Sequence, residues 1–182
     1  MKDHFCVSAV LGVCLLASAF AASAAGQAHQ HGVAKLDIAV QATQLTLQLE
    51  SPLDNLLGFE RAPRTDAERK QADAVVATLK GGDTMFKIDP AAGCKLATVA
   101  LSSSALKLGQ PDPADGKDGK DGHADIDGSY EFNCTDATKA AYVDVGLFTF
   151  SRLQRLQVQV ATPRGQFKRD LKRPTTRVVL SK

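Results

Sequence analysis

The chain has 182 residues, 44% of them hydrophobic and 23% charged, with a net charge of +2. That balance excludes a fully disordered chain and argues against a bulk nucleic-acid binder. With no tryptophan and only 5% aromatic residues, recognition of sugars or bases by stacking is a poor fit.

Lys2 and His4 precede an apolar run from Phe5 to Ala22, and small residues follow at Ala24, Ala25 and Gly26. A basic start, an apolar stretch and an A-x-A site predict a secretory signal over residues 1–25. Residues 26–182 are then one domain, exported to the periplasm. The only long apolar run leaves with the signal, so no membrane span is expected afterwards. Cys6 and Cys14 leave with it too. The remaining pair, Cys94 and Cys134, predicts a disulfide in an oxidising compartment; two thiolate metal ligands are the alternative. The bridge would close a loop of about 41 residues, worth about 4 kcal/mol on the chain-entropy model.

Residues 33–51 predict a hairpin. Leu36, Ile38 and Val40, then Leu45, Leu47 and Leu49, alternate with polar or small neighbours, which buries one face and wets the other. Pro52, Gly58 and Pro63 mark a structured connection. Thr65-Asp66-Ala67-Glu68 is a capping box. Ala72, Val75, Val76 and Leu79 recur at helical spacing, so the main helix is expected at about 65–80. Gly81-Gly82 should stop it through a left-handed cap.

A strand is expected over 95–101, and then the chain turns to Gly, Pro, Asp and Lys. Residues 109–122 read as a flexible, solvated loop. Ile126, Tyr130, Phe132 and Cys134 alternate with polar residues as a strand with its cysteine inward. A helical turn at 135–141, a strand from Val143, a hairpin of 155–160 with 166–171 about Pro163-Arg164-Gly165, and an edge strand at 178–180 complete the chain. There is no βαβ rhythm. The expected fold class is α+β: mostly antiparallel sheet, one main helix and one long Asp/Gly/Lys loop.

Three histidines remain after the signal: His29, His31 and His123. On an extended chain the imidazoles of His29 and His31 point the same way and can converge on one cation. A solvated terminal tail is the plain alternative. His123-Ala124-Asp125 places an imidazole and a carboxylate on the polar side of a strand, a pairing that suits Zn²⁺; there the alternative is a wet strand face. An EF-hand fails, because aligning Gly128 as the sixth loop position puts His123 first and Cys134 twelfth. No GxSxG, HExxH or phosphate-binding loop is present. Glu60 and Asp66 are a candidate carboxylate pair better suited to capping and salt bridging, and the chain is not expected to be an enzyme. Seven basic residues against Asp170 between Arg164 and Lys182 read as a hairpin's solvated face, or as attraction to an acidic partner or membrane surface.

Several segments in order resemble the ZrgA-like family of zinc-regulated, exported proteins of Gram-negative bacteria. They are His29-Gln30-His31-Gly32-Val33-Ala34-Lys35-Leu36, Ser51-Pro52 through Asn55 to Gly58-Phe59-Glu60-Arg61-Ala62-Pro63, and Ala92-Gly93-Cys94. His123-Ala124-Asp125-Ile126, Tyr130-Glu131-Phe132-Asn133-Cys134, Leu147-Phe148 and Gly165-Gln166 follow. The resemblance implies a periplasmic zinc-binding protein that buffers zinc or assists its acquisition, with a zinc importer or the importer's binding protein as partner. The family's His-rich segment between the cysteines is Asp, Gly and Lys here, and Arg61 stands where the family often has His. What carries over is a short Zn²⁺ site of His29, His31, His123 and Asp125. The competing reading is a non-enzymatic interaction module with a vestigial metal site.

Overall fold

A computed structural model describes residues 30–109 and 124–181. The expected signal segment, His29, His123 and nearly all of the expected 109–122 loop lie outside the described residues.

Strands β1 (Val33–Val40) and β2 (Gln44–Pro52) form the expected hairpin, with Lys35 beside Glu50 and Val40 beside Leu45. They lie inside a six-stranded sheet with β4 (Lys95–Ser102), β5 (Asp125–Asn133), β7 (Arg155–Thr162) and β8 (Gly165–Lys172), in the order β4-β5-β2-β1-β7-β8. β3 (Phe86–Ile88), β6 (Tyr142–Val145) and β9 (Arg177–Val179) make a separate three-stranded sheet. The fold is α+β, as expected. One feature departs from the sequence reading: β1 and β7 pair in parallel. Pairing between segments over a hundred residues apart leaves no trace in local alternation. The last strand is an edge strand as expected, on the small sheet.

Alternation decides which face is buried. Leu36, Ile38, Leu45, Leu47, Ile126, Leu156 and Val158 point inward and are almost wholly buried, while Lys35, Gln48 and Gln159 sit among the outward polar residues. The main helix, α2 (Asp66–Lys80), presents Ala72, Val75 and Leu79 to the same core. Truncating the fully buried Leu79 to alanine should cost about 2–5 kcal/mol. Tyr130 is also buried, with its ring edge-on to Phe86 at 4.7 Å. A Cβ on either Gly82 or Gly128 would come within 2.9 Å of that ring.

The Thr65 hydroxyl accepts the Glu68 amide at 3.1 Å, as a capping box requires. Glu68 reaches back with a 2.6 Å bond to the Arg64 amide, one residue before the cap. The helix stops at Lys80 without a left-handed glycine. Gly81 has φ −76° and its N–H closes on the Thr78 carbonyl, and Gly82 then opens the short helix α3 (Gly82–Met85). The turn expected over 135–141 is a 3-10 turn at Ala137–Lys139.

The connection after β2 contains a further short helix, α1 (Asp54–Leu57). It sits where three strands end together. Pro52 pairs with Asp125. Continuing the β1–β2 register by two residues puts Val33 beside Pro52, and Val33 pairs with Arg155. The Leu53 N–H donates to the Ala124 carbonyl at 2.8 Å. The start of β1, the end of β2 and the start of β5 therefore share one end of the sheet.

Candidate functional site at the His31 end of the sheet

Asn55 fixes the entry to β1. It is buried, its Oδ1 accepts the Gly32 amide at 2.6 Å, and its Nδ2 donates to the Val33 carbonyl at 2.8 Å and the Ser51 hydroxyl at 3.2 Å. Gly32 takes a positive φ of 79°, which glycine adopts without a steric cost. His31 is thereby held at the rim with its side chain 65% exposed.

Two carboxylates flank the imidazole. Asp54 Oδ2 lies 3.2 Å from Nδ1, and Glu60 Oε1 lies 3.5 Å from Nε2. The second distance is too long for a good hydrogen bond. Glu60 Oε1 is nevertheless shielded from solvent and has no hydrogen-bond partner. A buried carboxylate oxygen without a donor is costly and calls for a cation or proton.

This geometry suits a metal ion in one respect. A carboxylate on Nδ1 sets the imidazole's orientation and leaves Nε2 as the ligand atom, the usual support for a zinc-bound histidine. Zinc bonds of about 2.0–2.2 Å at a tetrahedral angle separate a nitrogen and an oxygen ligand by about 3.3–3.5 Å. The Nε2–Oε1 gap of 3.5 Å is of that size. Asp54 and Glu60 sit on opposite nitrogens, so one ion cannot take all three side chains. Among the described residues no group of three or more His, Cys, Asp or Glu side chains forms a complete metal shell. Nε2 and Glu60 supply two positions, and further donors must come from elsewhere.

Of the ligands expected from sequence, His29 and His123 lie outside the described residues. Asp125 opens β5, and its carbonyl accepts the Ser103 hydroxyl at 2.6 Å. Through its pairing with Pro52 it shares the His31 end of the sheet. Cys94 and Cys134 are joined in a disulfide, so neither is a thiolate ligand. Cys134 follows the far end of β5, nine residues from Asp125 and therefore about 30 Å along the strand.

Sequence reasoning gave no role to Asp54 or Arg152, named Asn55 only within a resembling segment, and assigned Glu60 and Asp66 to capping and salt bridging. Asp66 does form a salt bridge, with Arg69. Arg152 Nη1 lies 3.7 Å from Asp54 Oδ1. The neighbouring Arg61 turns away and forks onto both oxygens of Glu68 at 2.8 Å each. The advance signal was the segment from Ser51 through Asn55 to Pro63, which marks a shaped connection without revealing what it faces.

A family model described as ZrgA family zinc uptake protein matches residues 28–180. The match begins just before the His29-Gln30-His31 run and ends within two residues of the terminus. No curated protein matches the chain. Among the described residues no helix is long and apolar enough to cross a membrane.

Proposed function

The chain belongs to the ZrgA family of zinc uptake proteins, and from that premise we propose that it is a non-enzymatic, exported protein that takes up Zn²⁺ at the His31 end of its large sheet. The observation that carries this reading is the solvent-shielded Glu60 oxygen without a donor, facing His31 Nε2 at 3.5 Å. His31 and Glu60 would bind the ion, and Asp54 would orient the imidazole. His29 is two residues from His31 in the chain. His123 is one peptide bond from Ala124, whose carbonyl is held by Leu53 beside Asp54. His29, His123 and Asp125 would supply the remaining ligands.

The partial exposure of His31 suits exchange rather than permanent storage. The cargo would be buffered in the periplasm and passed to a zinc importer or its binding protein. The disulfide agrees with an oxidising compartment. Zinc titration of the metal-stripped, untagged protein tests the reading. One site that weakens as pH falls is expected, because protons compete for imidazole and carboxylate. No binding at micromolar zinc would reject it.

The interaction-module reading is favoured by one observation. β8 ends the large sheet and carries Lys168, Arg169 and Lys172 along an edge with no further strand among the described residues. It would prevail if the protein failed to bind zinc.

A further inference from the structure

Arginines in this fold are mostly consumed by good partners. Arg155 forks onto Asp170, Arg177 forks onto Asp144, and Arg173 donates to the Leu153 and Phe150 carbonyls. Arg152 is different. Its contact with Asp54 is 3.7 Å, beyond hydrogen-bond reach. Yet its position is fixed from both sides.

The turn carrying Arg152 is fastened to the residue after His31. The Gln154 and Arg155 amides both donate to the Gly32 carbonyl, at 2.8 and 2.9 Å, and Leu153 is buried beside them. The guanidinium then lies against Gly58. A Cβ there would sit 2.9 Å from Nε and 3.0 Å from Cζ and Nη2. Gly58 also needs its positive φ of 83° to close α1. The backbone thus makes room for a cation over the carboxylate that orients His31.

We infer that Arg152, through its charge, weakens the binding of a divalent cation at the His31 site. This rests on the proposed zinc-binding reading. A positive charge beside Asp54 offsets part of the negative charge of Asp54 and Glu60. It repels a divalent ion without occupying the ligand positions, so it lowers affinity through Coulomb interaction alone. Because its side chain is 59% exposed, the effect is moderate and screened by salt.

The test is zinc titration of the full, metal-stripped protein and of Arg152→Gln and Arg152→Lys. At about 20 mM salt Arg152→Gln should bind zinc about fivefold tighter than the parent, and at about 500 mM salt the gain should fall below about twofold. Arg152→Lys keeps the charge and should stay within about twofold of the parent. Lost packing alone would move both variants and would not respond to salt. Arg152→Ala carries the same test should the Gln variant fail to fold. A parent that binds zinc while both neutral variants bind equally or more weakly, or gain independently of salt, overturns the inference. A parent that binds no zinc overturns the zinc reading and the inference with it.

Discussion

Glu60 and Glu68 stand eight residues apart, on either side of the connection leading into the main helix, and the protein treats them in opposite ways. Glu68 is saturated: Arg61 donates to both oxygens and the Arg64 amide adds a third bond. Those donors, the Arg61 fork foremost, hold its carboxyl down to about 2. Glu60 has one oxygen shielded from water, no donor to it, and an imidazole nitrogen 3.5 Å away. A carboxylate that serves the fold is given all its donors. A carboxylate left short of them, at an accessible rim, is available to a cation from outside.

Variants can break this comparison. The largest effect is expected on zinc. His31→Ala and Glu60→Gln should each weaken binding by at least about tenfold, while Glu68→Gln leaves it within about twofold, read by titration against a competing chelator. Asn55→Ala should act on both fold and site. It strips buried partners from Gly32, Val33 and Ser51, so urea denaturation should show a loss of about 2–3 kcal/mol, with zinc binding weakened as His31 loosens.

The acid response of Glu68 should be smaller. Its folded carboxyl lies below the ordinary glutamate value of 4.5, at about 2. The stability it contributes is therefore complete above about pH 4.5 and is lost as pH falls from there towards 2. Glu68→Gln should flatten that stretch of a plot of thermal midpoint against pH. Asp144 and Asp170, held low chiefly by Arg177 and Arg155, add slope of the same sign in every variant.

The sheet was legible because its strands are one-sided. Leu36, Ile38, Leu45 and Leu47 announce their inward face by period-two alternation, and Thr65 to Glu68 announces the helix start. The parallel pairing of β1 with β7 was not legible, since alternation gives a strand's faces and not its neighbour. The site was legible only as candidate donors. His31 stood out through its companion His29, and Asp125 through His123. Asp54 and Glu60 look like any surface carboxylates in the chain. They become significant only once Asn55, 23 residues from Gly32, ties α1 to the start of β1.

The central claim is that Glu60 is left unsatisfied for a cation while Glu68 is satisfied for the fold. The most direct test is calorimetric zinc titration of the metal-stripped, untagged protein beside its Glu60→Gln and Glu68→Gln variants. The account predicts one site in the parent, the same site in Glu68→Gln, and binding at least about tenfold weaker in Glu60→Gln. Equal binding by all three, or none by the parent, would contradict it.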